Sequence, residues 1–411
     1  MRFLLVTTFY PPASFGGDAL FVRRLAVGLA GRGHRVEVAH NLDAFRLLAG
    51  REPEGAAPRD EGVTVHPLRE PAGFLSLLFG HQTGRLPGRH PLREVLSREF
   101  DVIHFHNVSL MGGPGLLSLG RAVKLYTTHE YWLVCPTHIL FKNGREACRE
   151  PSCLPCTLRH RRPPQPWRTG GHLRRSLEHV DAFLAPSRFT AETHRRRGLD
   201  LPFVHLPLFV PPVDESSPPP AECGDGPYFL FTGRLESLKG LHTLLPLFAG
   251  EGGGRLLVAG SGSREDEFRR RTRGQARIVF LGAQPPPRVA ALQRGAVAVV
   301  VPSLCPEVSP LAVMEAMSHG TPVIARDLGS LTELVGESGG GLLYRTEAEL
   351  AGHLRRLAED GPFRKMLGEQ GRRFAREHWS VERHLDAYLD LIRDVVTGRG
   401  PRSPRPAAGK E

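Results

Sequence analysis

The sequence predicts an α/β protein of two Rossmann-like domains, each a parallel sheet covered by helices, facing one another across a cleft. Three observations carry that expectation. The chain has 411 residues, and at about 100–200 residues per domain that length argues for two. Short continuous apolar runs, the mark of strands buried on both faces, alternate with amphipathic segments. Two such series flank a proline-rich stretch centred on Ser216-Ser217-Pro218-Pro219-Pro220.

Taken in order, Phe3 to Val6 is the first buried strand, followed by a turn-rich loop from Tyr10 through Gly16-Gly17. Leu20, Val27 and Leu29 then recur with helical spacing, Gly31 to Gly33 ends that helix, and Val36 to Ala39 is the next strand. Such a β-α-β unit implies a parallel sheet. Strands around Asp101–His106, Ala122–His129 and Ala182–Ser187 repeat the form, and His106, His129 and Ser187 sit at their carboxyl ends, where open α/β sheets bind ligands. The first domain is read as 1–205 and the linker as 206–226. A second series, 227–379, starts with Tyr228–Gly233 and continues through strands near 255–259, 277–281, 296–301 and 322–325. The segment 380–397 carries Leu385, Tyr388, Leu389 and Ile392 on one stripe, a helix read as packing back on the first domain; 398–411 reads as a disordered tail.

Composition excludes whole classes. Apolar residues are 40% and charged residues 24%, ordinary for a folded domain pair, and Gly (46) with Pro (36) stay below the roughly 25–30% of low-complexity chains. No apolar run approaches the roughly 20 residues of a membrane helix, and Pro11-Pro12 interrupts the amino-terminal apolar run before it could form a signal peptide. The expected location is the cytoplasm, with peripheral contact on the inner face of a membrane left open by the net charge of +11. Only five of the 54 basic residues are Lys, which reads as coding bias. The runs Arg159-His160-Arg161-Arg162, Arg174-Arg175 and Arg195-Arg196-Arg197 lack interleaved aromatics, so no nucleic-acid partner is expected; an anionic acceptor or lipid headgroups remain open for them.

Two stretches carry the chemistry. In 307–322, Ser309 reads as an N-cap and Pro310 as the first residue of a helix running to His319-Gly320, with Glu307 before it and Glu315 on it. Its free amides suit an anion, and the two carboxylates suit the hydroxyls of a polyol. Gly233-Arg234-Leu235-Glu236-Ser237-Leu238-Lys239-Gly240 follows the first strand of the second series and offers Arg234 and Lys239 to a diphosphate. Each alone is equally a solvated surface turn.

Together they resemble the retaining glycosyltransferases of family 4, which have the GT-B fold. Glu307 and Glu315 match the family's E-x7-E signature, continuing through Gly320 and Pro322-Val323; Gly233-Arg234 with Lys239-Gly240 matches its G-R-x-x-x-x-K-G element. Gly16-Gly17, Gly33-His34 and Thr128-His129-Glu130 extend the likeness from residue 1 to about 396. The resemblance implies a nucleotide-sugar donor, a UDP- or GDP-sugar, with Arg234 and Lys239 holding its diphosphate. It implies Glu315 on the ribose, Glu307 on the sugar, the amides near Ser309, Pro310 and Leu311 close to the donor, and Gly16, Gly17 and Gly233 letting backbone approach it. His129 would stand beside the reacting sugar and His106 on the acceptor side, the acceptor being a sugar, a glycolipid or another small molecule. Transfer would retain anomeric configuration, in glycan, polysaccharide or glycoconjugate synthesis, and no catalytic metal is implied. Val308 and Ser309 depart from the small and aromatic residues the family often has after its first Glu, which bears on the sugar. A nucleotide-sugar 2-epimerase and a non-catalytic nucleotide-sugar or polyanion binder are the competing readings.

Cys135, Cys148, Cys153 and Cys156 have the spacing C-x12-C-x4-C-x2-C. Four thiolates with a C-x2-C pair suit a structural zinc or, less often, an iron–sulfur cluster; reduced thiols or a redox pair are the alternatives.

Overall fold

The computed structural model describes residues 1–213, 226–249 and 254–401. Most of the linker read as 206–226, with Cys223, lies outside the described residues, as does the tail beyond 401. The chain divides into two compact units: Met1–His138, Ser152–Pro207 and the chain from His384 form the first, and Ile139–Pro151 with Leu208–Arg383 the second.

The first unit holds strands β1 (Arg2–Val6), β2 (Arg35–Asn41), β3 (Val63–Leu68), β4 (Val102–Phe105) and β5 (Val123–Thr127). A two-residue hairpin, β6 (Phe141–Lys142) with β7 (Glu146–Ala147), falls in the second unit, after which β8 (Ala182–Ala185) and β9 (Phe203–His205) complete the first. The sheet order is β3-β2-β1-β4-β5-β8-β9, parallel throughout. Leu4, Val6, Ile103, Phe105, Tyr126 and Phe183 fill its core, which is why the runs containing them read as uninterrupted apolar sequence.

The second unit repeats the plan with β10 (Tyr228–Thr232), β11 (Arg255–Ala259), β12 (Ile278–Gly282), β13 (Ala298–Val301), β14 (Val323–Arg326) and β15 (Gly341–Tyr344). Its order is β12-β11-β10-β13-β14-β15, again all parallel. In both sheets the chain builds outward one way, then returns to the centre and builds the other way. β1 therefore lies beside β4, and β10 beside β13, and the loops leaving those neighbours must separate at the carboxyl edge, opening a crevice there.

The 135–156 loop, read whole as part of the first domain, is divided: 139–151, whose hairpin bonds are local, including Cys148 N to Leu140 O at 2.7 Å, groups with the second unit. The final helix, Val381–Val396, belongs from His384 onward to the first unit, where Leu385 lies against Gly28. Just past the final helix, the amides of Arg399 and Gly400 both donate to the Asp394 carbonyl.

Candidate functional site

In the second unit the crevice between β10 and β13 brings the two sequence motifs together. The loop after β10 turns through Gly233 and a 3-10 turn, Ser237–Lys239, that ends on Gly240 at φ +74°. A Cβ at Gly240 would stand 2.0 Å from the Pro302 carbonyl, so only glycine lets this loop lie on the one after β13. Leu304 N donates to Leu238 O at 2.8 Å across the same seam. Lys239 Nζ thereby reaches Glu307, donating to Oε1 at 2.6 Å, and Ser303 Oγ donates to the same oxygen at 2.6 Å. Arg234 is exposed close by. Burial would raise the Glu307 carboxyl, but the charge and hydrogen bond of Lys239, the Ser303 hydroxyl and the Arg234 charge together hold it below the ordinary carboxylate range. Cys305, buried next to them, is pushed up to about 12 by desolvation and the Glu307 charge, so it stays a neutral thiol.

The helix after Glu307 starts one residue later than its sequence suggests. It runs Leu311–Ser318 with Pro310 as the extended cap residue, and no side chain caps it. Ser309 is not the cap, because its hydroxyl turns to Met314 Sδ at 3.5 Å. Glu315 lies half-buried on this helix.

In the first unit, the loops after β1 and β4 are joined by Thr8, whose amide and hydroxyl both donate to Asn107 O, at 2.5 and 2.9 Å. Gly16 is the extended cap of helix Gly17–Gly31, which begins beside that loop with no side chain over its amides. His106 and His129, at the ends of β4 and β5, are brought together: His106 Nδ1 and His129 Nε2 are 2.9 Å apart. His104 is held on both nitrogens, by the Tyr388 hydroxyl at 2.9 Å and Thr127 Oγ1 at 2.8 Å. Phe21 packs on His129. Burial lowers His129 to about 3, with a further push from His384, and drives His104 and His106 well below the usual histidine range. The cluster is neutral at physiological pH, so one imidazole nitrogen donates and the other accepts between His106 and His129.

The four cysteines do not assemble as a metal site. Among the described residues no group of three or more His, Cys, Asp or Glu could hold a metal ion, and no disulfide joins these thiols. The C-x2-C pair lies on the short helix Cys153–Arg159, where Cys153 faces solvent and Cys156 the interior. Cys135 Sγ is hydrogen-bonded with Thr137 Oγ1, and Cys148 Sγ donates to the Glu150 carbonyl. The cation near Cys135 and Cys153 is Arg168, which burial lowers to about 10 and which stacks on Trp167. The residues present therefore do not fit the zinc or iron–sulfur cluster that their spacing suggested.

Sequence reading missed three contributors. Ser303 is a third residue on Glu307, identifiable only as a hydroxyl just past a buried strand. Tyr388 and His384 come from the far end of the chain, His384 Nδ1 being bonded to Pro207 O at 2.7 Å. Tyr388 was present on the apolar stripe but without a role, and His384 was not singled out.

Comparison with known proteins now bears on this geometry. Residues 15–212 match the family described as Glycosyltransferase Family 4, and residues 213–374 match Glycosyl transferases group 1. The chain belongs to glycosyltransferase family 4. Among its relatives are D-inositol 3-phosphate glycosyltransferases of Rhodococcus erythropolis (36% identical over 44% of this chain and 45% of that one) and Acidothermus cellulolyticus (31% over 43% and 44%). The match thus spans less than half the length of these relatives. Glycogen synthase of Mycobacterium tuberculosis is 27% identical over 99% of this chain and 97% of its own. Of solved structures, sucrose-phosphate synthase of Thermosynechococcus elongatus aligns with a TM-score of 0.71 at 21% identity over 97% of this chain and 100% of that one. HepE of Anabaena, in complex with UDP-glucose, aligns at 0.67 and 18% over 97% and 100%. At those identities the likeness establishes the fold, which is the GT-B fold of the family 4 enzymes.

Proposed function

We propose that this family 4 protein transfers a sugar from a nucleotide-diphosphate sugar to an acceptor hydroxyl with retention of configuration, in glycan, polysaccharide or glycoconjugate synthesis. The observation that carries the reading is the Lys239–Glu307 pair beside Arg234 at the carboxyl edge of the second sheet. The bond to be broken joins the sugar to a phosphate oxygen, so the main demand is to stabilise charge building on the leaving diphosphate. Arg234 is exposed and Lys239 half-buried, and both lie where a diphosphate would find two cations. Glu307, kept ionised by them, accepts hydroxyls of the donor sugar; Glu315 accepts those of the ribose. The uncapped amides at Leu311 add a positive helix end. His129, neutral by burial, offers a hydrogen-bonding imidazole beside the reacting carbon without adding charge there. Gly16 and Gly17 put no side chain over the amino end of their helix, and Gly233, at φ +153°, turns the loop that carries Arg234.

A UDP-sugar is the favoured donor, since HepE of the same fold is recorded with UDP and UDP-glucose. The acceptor we propose is a sugar or glycolipid, met in the cytoplasm at the inner face of a membrane; no helix among the described residues is long and apolar enough to cross one. The test is a thermal-shift panel of UDP-, GDP-, ADP- and dTDP-sugars. One of them raises Tm by mass action, and free nucleoside diphosphate then appears only when an acceptor is added. Epimer formation without acceptor, or binding without turnover, overturns the transferase reading.

A further inference from the structure

Helices of the first unit carry apolar side chains on the face where soluble helices carry polar ones. Helix Phe74–Thr83 buries Ser76, Leu77 and Gly80 and turns Phe74, Leu75 and Phe79 outward; Phe74 and Leu75 are 56% and 68% exposed. On the adjacent helix Leu42–Ala49, Leu47 and Leu48 are exposed as well. A third short helix, Cys153–Arg159, exposes Leu154 and Leu158 one turn apart. The segment leaving that helix is tied to the end of the first: His81 Nε2 is 2.9 Å from the Pro163 carbonyl, and Trp167 Nε1 donates to His81 O at 2.8 Å. The apolar groups thus sit on helices that neighbour one another within one unit, not at scattered positions.

Around the first and third of these helices the charge has one sign. Residues 71–93 and 152–177, which include two of the three helices, contain no Asp or Glu. Arg85, Arg89, Arg159 and Arg161 are exposed there, and none is in an ion pair among the described residues. An apolar face rimmed by unpaired arginines matches a layer with a hydrocarbon interior beneath phosphate headgroups. A second copy of the chain fits it poorly, because the same arginines would be brought face to face.

We propose that this face docks on the surface of an anionic phospholipid bilayer, with Phe74, Leu75 and Phe79 entering the acyl–headgroup boundary and the arginines meeting headgroup phosphates. It names the surface behind the membrane contact put forward above, and its test reads separately from donor binding. Arg168 and the buried Trp167 brace the segment from within and are not part of the docking surface.

The experiment is flotation of the full chain with vesicles of neutral phosphatidylcholine, alone or with about 30% phosphatidylglycerol. Binding is expected to be at least ~10-fold tighter to the anionic vesicles and to weaken as salt rises. Phe74→Ser/Leu75→Ser/Phe79→Ser and Arg85→Glu/Arg161→Glu should each reduce it by at least ~10-fold, because one removes the inserted groups and the other the attraction. All five positions are exposed, so Tm and the nucleotide-sugar shift should be unchanged in both variants, which separates a failed surface from a failed donor site. Equal binding to neutral and anionic vesicles, or wild-type binding by either variant, overturns the proposal. So does absence of vesicle binding with a concentration-dependent dimer that the triple variant abolishes.

Discussion

Lys239 and Glu307 occupy each other at 2.6 Å in the structure, and this shapes what each can do when a donor arrives. Glu307 is the more buried partner and also accepts from Ser303, so its charge is tied down, while Lys239 keeps partial access to solvent. An incoming diphosphate can share the ammonium, whose three donors exceed what one carboxylate oxygen uses. Lys239→Ala is therefore expected to lower turnover at least ~100-fold, the usual size for removing one charge-stabilising group. It also leaves a half-paired carboxylate in the interior, costing about 1–3 kcal/mol of stability. The double variant Lys239→Ala/Glu307→Gln should recover that stability without recovering turnover. Steady-state rates beside melting curves separate the two effects, and near-wild-type turnover in folded Lys239→Ala would remove the mechanism.

At the scale of elements, the carboxyl ends of parallel strands do the positioning, and this was largely legible. Phe3–Val6, Val102–Phe105 and Tyr228–Thr232 are buried on both faces and so announced themselves as apolar runs ending at the site. β3 did not, because Val63–Leu68 is a half-exposed edge strand containing a proline, and β6 and β7 are too short for any period. Glu307 and Lys239 could be named from their motifs, but their contact depends on β10 lying beside β13, which no local pattern encodes. The cysteine spacing misled because three of the thiols found local or arginine neighbours once the loop was divided between units. The final helix was legible as a stripe, yet its chemical contribution was not: Tyr388 is fully buried and reaches His104, which contacts the His106 ring at 3.9 Å between centroids. Tyr388→Phe keeps the stripe and removes one buried hydroxyl, leaving His104 Nδ1 unpaired. The expected result is a loss of about 1–3 kcal/mol on denaturant unfolding with a folded, donor-binding protein. A stability change within error would mean that this hydrogen bond does not hold the helix to the sheet.

For the whole molecule, the same burial that keeps the histidines neutral sets a limit in acid. His40, His194 and His384 are each lowered from the usual 6.5 to about 4, chiefly by desolvation, and all three lie in the first unit. A depressed histidine favours the folded state fully above the unfolded pKa, and that contribution is lost as pH falls from about 6.5 toward 4, where only the unfolded chain takes up the proton. Each shift corresponds to roughly 3 kcal/mol at the acid end, so the three together approach the ~5–15 kcal/mol that stabilises an ordinary domain. His129, at about 3, and the still lower His104 and His106 act in the same direction. In the second unit His319 is also lowered to about 4, mainly by burial, and it is less enclosed than those three. Calorimetry between pH 7 and 4 should therefore show a transition that moves steeply down below pH 6.5, assigned to the first unit, and separates from a second that moves less. His384→Phe should flatten the slope of the first transition only. Parallel shifts of both transitions, or a Tm that stays level to pH 4, would show that these imidazoles are not held neutral by the fold.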